Sequence, residues 1–411
     1  MVTDFYWPYV GGVEQHVRRL GHALAARGHH VAVATLGNGE LPAEAPDGAV
    51  TVHRLRSTTQ RASWLFKRAD RPWAPPFPDP EVTLGLLSVL EREQPEIVHG
   101  HDWLARAYVP LKVARPARFV MSLHYYTLSC AKKNLMYQGE PCSGPGVAKC
   151  LRCGVAHYGA LKGTTVVAGN WLMSAAERAA IDRFLPVSQA TATANGLTDG
   201  ARYEVIPNFM PEPEPPTLDV APYLAQLPAE PFLLFVGDLR RDKGLEVLLA
   251  AYAQLPASPP LVLIGKEWPE TPTTWPAGVQ VLKHWPNEAV LAAWPRSLIG
   301  VVPSIWAEPF GIVVIEALAA GRPVVASNIG GIPDILEHGA AGVLVPPGDP
   351  AALAAALRAL VVDPERRAAL SRAARRRADA YTAASVVPRI ERVYAGLLRP
   401  AAEAHEPIAA R

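Results

Sequence analysis

The sequence predicts an α/β protein built from two Rossmann-like domains. Three observations predict it: short apolar runs alternate with helical segments along nearly the whole chain, each half opens on a strand, a glycine turn and a helix, and residues 211–231 between the halves are dense in proline and acidic side chains. At 411 residues, the chain is long enough for two cores of ordinary size. The expected boundaries are a first domain over 1–210, a linker over 211–231, a second domain over 232–381, a final helix over 382–399 that crosses back onto the first domain, and a disordered tail from 400.

Hydrophobic residues make up 49% of the chain and charged residues 19%, as in a soluble globular protein. No uncharged apolar run reaches the roughly 18 residues a membrane span needs. The opening MVTDFYWPYVGG lacks the basic region and apolar core of a signal peptide, so a cytoplasmic location is expected. A net charge of +2 gives no argument for nucleic acid. Arg366, Arg367, Arg372, Arg375, Arg376 and Arg377 cluster on a late helix, either as a solvated face or as a patch for an anionic membrane or acceptor.

In the first half, Val13, Val17, Leu20 and Leu24 recur at helical spacing, and Gly28 closes that helix before a strand over 30–36. Gly11-Gly12 is a turn that lets backbone approach a phosphate. A proline-rich aromatic segment, 64–80, leads into a helix over 81–92, followed by a strand over 96–102 that carries His99 and His101. These histidines are either packed or near a ligand. The strand over 118–123 ends at His124, followed by Tyr125-Tyr126, and strand 185–189 and the run YEVIPNFM finish the domain.

All four cysteines fall within 130–153. Cys150 and Cys153 have the spacing of a zinc half-site, and Cys130 and Cys142 could complete a tetrahedron. The glycines and prolines between them leave little core, so a structural zinc, two disulfides and free thiols are all open readings.

The second half begins with the strand PFLLFVGDL, the loop RRDKG and a helix, and continues with strands over 261–265 and 279–282. Gly265, Lys266 and the region of His284-Trp285 lie where a nucleotide base would sit, with Trp285 either stacking or packed in the core. The stretch PSIWAEPFGIVVIEALAAGRPVVASNIGG, 303–331, follows a buried-looking strand. Pro309-Phe310-Gly311 opens a helix that Gly321 closes. Its first turn leaves backbone donors free for an anion or for hydroxyl groups. Glu308 in the loop and Glu316 two turns into the helix could reach two parts of one extended ligand.

This stretch resembles the donor-sugar signature of the retaining glycosyltransferases of family 4, which have the GT-B fold: a Glu, seven residues and a second Glu, in the setting PS…E-x-F/P-G…E-A-x-A-x-G-x-P-V. Gly11-Gly12-Val13-Glu14 resembles the GGVE opening of the same family, and Gly237 to Gly244 its GRLxxxKG loop. Two departures stand out. Asp238 occupies the family's Arg position, so Arg240 or Arg241 would supply that cation, and the first strand, residues 1–5, is short, from a late start or a truncated central strand.

The resemblance implies two Rossmann-like domains facing a central cleft, the first on the acceptor side and the second binding the donor. It implies a hexosyltransferase-type reaction, retaining and metal-independent, and no Asp-x-Asp motif is present. The donor would be a nucleotide-diphosphate sugar, UDP first and GDP next. The acceptor would be a polysaccharide, lipid or small natural product. By resemblance, Glu308 would hold sugar hydroxyls with the amides of Phe310, Gly311 and Ile312, and Glu316 would take the ribose. Lys243 would neutralise the diphosphate, Gly11, Gly12 and Gly265 would line the donor, and His124 would position the sugar at the reaction centre. Similar cysteine-rich inserts follow this His in other family members. Other readings are a nucleotide-sugar epimerase, a phosphorylase of the same fold, or a non-catalytic subunit. A phosphorylase would need a pyridoxal-phosphate lysine motif that is not found, and an Asp238-type change favours the non-catalytic reading.

Overall fold

The computed structural model describes residues 1–9, 11–61, 74–115, 117–210, 218–255 and 259–399. Most of the proline-rich run 64–80, the run 211–217 within the linker, and the tail from 400 lie outside these residues. In the first half, α1 (Gly12–Ala26) leads to β1 (Val31–Leu36), β2 (Glu44–Asp47) and β3 (Val50–Leu55). There follow α2 (Pro80–Glu93), β4 (Ile97–Gly100), a 3₁₀ segment over Trp103–Leu111, β5 (Arg118–Leu123), the hairpin β6 (Met136–Tyr137) and β7 (Glu140–Pro141), α3 (Val147–Tyr158), α4 (Ala160–Ala180), β8 (Arg183–Pro186) and α5 (Gln189–Ala194).

Two three-stranded pieces, β1-β3-β2 and β4-β5-β8, make the first sheet. Val2 stitches them together: its amide donates to the His99 carbonyl at 2.8 Å, the His101 amide donates to the Val2 carbonyl at 2.9 Å, and Ala34 donates to Met1 at 2.8 Å. The short first strand is therefore present as a bridge between β1 and β4. The parallel strand order around it is β3-β1-Val2-β4-β5-β8, with β2 added antiparallel at the edge. The strand read at 185–189 lies earlier, at Arg183–Pro186, because Ser188 turns out of the sheet to cap α5, accepting from the Thr191 amide.

The second half holds α6 (Ala221–Leu224), β9 (Leu233–Val236), α7 (Leu245–Tyr252), β10 (Leu261–Ile264), β11 (Val279–Leu282), α8 (Asn287–Ala293), β12 (Ile299–Val302), α9 (Ile312–Ala319), β13 (Val324–Ser327), α10 (Ile332–Ile335), β14 (Val343–Val345), α11 (Pro350–Val362) and α12 (Pro364–Ala378). Its sheet is wholly parallel, in the order β11-β10-β9-β12-β13-β14. Strands β10, β12 and β13 are buried at every position, which is why they read as unbroken aliphatic runs. Asp-Pro pairs start α2, α11 and α12: Asp79, Asp349 and Asp363 each accept from the amide three residues on, and each proline fills the first helical position.

Helix α13 (Ala383–Leu398) crosses back onto the first half, where Val386, Val387, Ile390 and Val393 bury against Val17, Leu20 and Val33. Of the arginine cluster, Arg367 donates to the carbonyls of Leu360 and Val361, and Arg377 to those of Asp334 and Ile335. Those two complete helix C-termini, while Arg366, Arg372, Arg375 and Arg376 are exposed. In the first half, Arg106 and Glu177 form a fully buried ion pair at 2.7 Å, and Arg106 also donates to Pro76 and Asn170, which fixes the 3₁₀ segment to α4.

Candidate active site

Numbered by their order in the chain, the second sheet's strands run 3-2-1-4-5-6. In such open sheets ligands bind beyond the strand C-termini at the reversal point, here between β9 and β12. The loops leaving those two strands are 237–244 and 303–311. They touch so closely that a Cβ on Gly244 would lie 1.8 Å from the Pro303 carbonyl oxygen, and Gly244 itself has φ +76°. Glycine is the residue this approach allows. Gly265 meets the same constraint against the Gly237 carbonyl, also at 1.8 Å.

Lys243 Nζ donates to Glu308 Oε1 at 3.0 Å and sits 4.8 Å from the Trp306 ring centroid. Ser304 Oγ donates to the same Glu308 oxygen. The Ile305 and Trp306 amides donate to the Asp242 carbonyl at 3.1 Å, and the Gly331 amide donates to the Glu308 carbonyl at 2.8 Å. Glu308 is therefore a buried carboxylate held by two side-chain donors, on a backbone that the Gly331 amide pins. Gly311, at φ +110°, turns the chain into α9.

Glu316 on α9 is 7% exposed, and burial pushes its carboxyl up to about 7, against the opposing pull of the Trp294 indole and of Arg19. Trp294 Nε1 lies 3.5 Å from Glu316 Oε2. Arg19 comes from α1 of the first half, so the two lobes meet here electrostatically. They also meet sterically: a Cβ on Gly12 would lie 3.3 Å from Ile312 Cδ1. The glycine turn of the first lobe thus faces the N-terminus of α9 in the second.

The first lobe also grips the 303–311 loop directly. Tyr126 Oη donates to the Ala307 carbonyl at 2.6 Å, Ser188 Oγ to Pro309 at 2.6 Å, and Thr191 Oγ1 to Pro309 at 3.0 Å. Trp306 Nε1 donates to the Asn134 carbonyl at 2.6 Å.

Behind this grip is a buried histidine cluster. His124 Nε2 lies 3.1 Å from His101 Nδ1, the His16 ring meets His124 edge-on at 4.8 Å, and His99 stacks on His101 at 4.2 Å. Burial pushes His124 down to about 4, opposed by Asp102 and Asn208, and holds His16, His99 and His101 well below the usual range. All four are neutral at pH 7, so His124 offers a hydrogen bond rather than a fixed charge. One nitrogen from each of His16, His101 and His124 falls within 4.8 Å of the others, a set of the type that can take a metal ion.

Beside it, a cavity of about 280 Å³ opens between the glycine turn and the cysteine segment, lined among others by Asp4, Glu14, Asp102, Tyr125 and Lys133. Lys133 Nζ bridges Asp102 Oδ1 at 2.5 Å and Asp4 Oδ2 at 3.4 Å. Burial, with Asp102 second, pushes Asp4 up to about 7.

The cleft therefore gathers Gly12, Lys243, Gly311, Ile312, Glu308 and Glu316, with His124 and its neighbours behind the first-lobe grip. Arg240 lies 4.5 Å from the Trp268 ring and 3.1 Å from Asp242. Arg241 turns the other way, to Glu140 of the β6–β7 hairpin at 3.4 Å and Glu246 at 3.9 Å. Trp285 packs edge-on against Tyr223 of α6 at 5.5 Å. Sequence reasoning missed Arg19, Asp4, Asp102, Lys133 and Ser188, none of which carries a spacing signal. The four cysteines are all unpaired with one another and half-buried, and they line one small cavity.

Comparison with known proteins matches residues 10–211 to the family described as Glycosyltransferase Family 4 and residues 225–377 to that described as Glycosyl transferases group 1. The chain is 30% identical over 324 residues to a D-inositol 3-phosphate glycosyltransferase of Catenulispora acidiphila, covering 73% of this chain and 72% of that protein. It is 28% identical over 411 residues to a glycogen synthase of Mycobacterium tuberculosis, covering 92% and 89%. Among solved structures, sucrose-phosphate synthase from Thermosynechococcus elongatus superposes with a TM-score of 0.72 at 23% identity, covering 94% of each chain. Anabaena HepE in complex with UDP-glucose superposes with a TM-score of 0.65 at 19% identity, covering 96% and 99%. The shared fold is GT-B, and no described helix is long and apolar enough to cross a membrane.

Proposed function

We propose, from the fact that this chain belongs to the group 1 glycosyltransferases, that it transfers a hexose from a nucleotide-diphosphate sugar to an acceptor hydroxyl with retention of anomeric configuration. The observation that carries the reading is the Lys243–Glu308 pair, 3.0 Å apart at the reversal point of the second sheet. A cation and a fixed carboxylate on adjoining loops suit a ligand with an anionic diphosphate and a polyol next to each other. UDP is the proposed nucleotide and GDP the next, supported by the UDP-glucose complex of Anabaena HepE, which shares the fold.

Glu308 accepts hydrogen bonds from the sugar hydroxyls, and the amides at Phe310, Gly311 and Ile312 face the donor from the start of α9. Lys243 stabilises the diphosphate as charge develops on it, with Arg240 as the second cation of its loop. Glu316 accepts the ribose hydroxyls. Gly11 and Gly12 bring backbone to the donor from the other lobe, and Gly265 lets the neighbouring strand ends close up. His124, neutral through burial, donates a hydrogen bond at the reacting sugar and so fixes its position. The acceptor enters through the cavity holding Asp4, Asp102 and Lys133. A donor phosphate oxygen takes the acceptor's proton on the face the leaving group vacates. This front-face route needs no protein nucleophile and no metal. The loop grip from Tyr126 and Ser188 excludes water, which would otherwise compete with the acceptor.

The same reading puts the protein in the cytoplasm with its nucleotide-sugar supply, and the exposed face of Arg366, Arg372, Arg375 and Arg376 gives it a peripheral contact with anionic lipid. The test is thermal stability against UDP, GDP, ADP, dTDP and CMP, with Glu316→Ala in parallel. One diphosphate should raise Tm in the unaltered protein and fail to do so in the variant. No response to any of them would sink the reading. The anomeric configuration of the product, read by NMR, tests retention.

A further inference from the structure

The stretch from Cys130 to Gly146, before α3, has little core of its own. Between residues 129 and 149, Met136 alone among the side chains is buried. Lys133, Leu135 and Gln138 all adopt left-handed backbone, at φ 65°, 50° and 53°. Three such residues within six positions are strained and persist only where something external fixes them. Yet this segment reaches across the cleft: Asn134 accepts from the Trp306 indole at 2.6 Å, and Glu140 pairs with Arg241 at 3.4 Å.

We infer that Cys130, Cys142, Cys150 and Cys153 together bind one zinc ion, and that this ion fixes the β6–β7 hairpin against the donor loop. All four cysteines line a single small cavity of about 30 Å³. Cys150 and Cys153 lie three residues apart on α3, which puts both sulfurs on one face of the helix. The Gly146 amide already donates to Cys150 Sγ at 3.4 Å, the kind of outer contact that orients a sulfur ligand. Gly154 and Gly163 let α3 lie directly on α4, since a Cβ on Gly163 would be 2.4 Å from the Gly154 carbonyl oxygen, and this anchors the half-site.

An all-thiolate set is soft and selects zinc over magnesium, and four protein ligands leave no open position for catalysis. Among the described residues the four cysteines are not already gathered as an ion-holding set, as His16, His101 and His124 are. A tetrahedral site with Zn–S near 2.3 Å needs them about 3.8 Å apart, so binding draws the hairpin in and releases the thiol protons to solvent.

The ion content is independent of the proposed reaction, whereas the coupling to the donor loop rests on it. The full chain, purified without a metal-affinity step, should carry one zinc by mass spectrometry. Its four thiols should react with a thiol reagent only after a strong chelator has removed the ion. Exchange into cobalt should give the visible bands of tetrahedral cobalt thiolate, a readout that needs no variant. Cys150→Ser/Cys153→Ser should lose the ion. Trp306→Phe, which removes the indole donor to Asn134 and keeps a ring beside Lys243, should keep the ion while weakening the response to a nucleotide about fivefold to tenfold, the equivalent of one lost hydrogen bond. Four immediately reactive thiols without an ion, two disulfides under non-reducing conditions, or iron with acid-labile sulfide would each overturn the inference.

Discussion

The two walls of the cleft, the proposed donor wall in the second lobe and the proposed acceptor wall in the first, are built in opposite ways. On the donor wall, Lys243, Ser304, Glu308 and Glu316 come from two loops and one helix that follow adjoining parallel strands, and backbone contacts such as Gly244 against Pro303 set their positions. On the acceptor wall, Asp4, His16, Asp102, His124 and Lys133 come from five separated segments, and what holds them is side-chain burial and charge pairing. The first wall is positioned by the strands it follows. The second is held by polar groups that depend on each other, so single substitutions there should cost stability, while on the donor wall they should cost activity.

Lys133→Met is the sharpest way to break that contrast. It leaves Asp4 and Asp102 buried together without their cation, and removing one partner of a buried pair costs about 3–5 kcal/mol. Lys133 is 17% exposed, so the lower end is expected. Chemical denaturation should register the loss, and a variant as stable as the unaltered protein would mean the acceptor wall does not rely on this pairing.

Glu308→Gln should behave in the opposite way. The amide keeps an acceptor for Lys243 and Ser304, so the melting temperature should stay close to that of the unaltered protein. Turnover should fall by about 10²–10³-fold, the scale for losing one preorganised polar group. Steady-state rates and melts on the same preparation separate the two effects.

A pH series with Glu316→Gln comes next. Burial raises the Glu316 carboxyl from 4.5 to about 7, so the folded, ligand-free chain binds a proton there that the unfolded chain has already released. Its contribution therefore becomes less favourable as pH rises from about 4.5 through about 7, by up to about 3 kcal/mol. The variant should equal the unaltered protein near pH 4 and exceed it at pH 8. Coincident melting curves across the series would show that Glu316 titrates normally.

The smallest effect is expected from Tyr126→Phe, which removes the cross-cleft hydrogen bond to Ala307. A loss of about 1 kcal/mol should appear as a several-fold rise in donor KM with kcat little changed, because the donor loop, and not the reacting atoms, is what Tyr126 touches.

The donor wall could be read from sequence because its residues are near neighbours in the chain. Pro303 to Gly331 carries its own strand end, turn, helix start and both carboxylates, and an aliphatic run before it marks a strand buried on both faces. The acceptor wall was legible only at its strand-end histidines, His99, His101 and His124. Arg19 gave no signal, since it sits on α1 among other polar residues and gains meaning only when Glu316 is brought opposite. Arg241 was read as a candidate donor-binding cation, and its partners turned out to be Glu140, about a hundred residues earlier, and Glu246. Of the six clustered arginines, Arg367 and Arg377 cap helix ends.

By itself, then, the sequence determined the alternation of strands and helices, the Asp-Pro helix starts, the glycines at close backbone approaches, and the donor stretch with its paired glutamates. These depend on interactions over a few residues, which leave periodic or positional marks. The tertiary structure alone decided that Val2 joins two half-sheets, that Arg106 finds Glu177, that four histidines converge and become neutral, and that Asn134 receives the Trp306 indole. Those contacts join residues tens to hundreds of positions apart, and their energies come from burial, which exists only after the chain has closed around them.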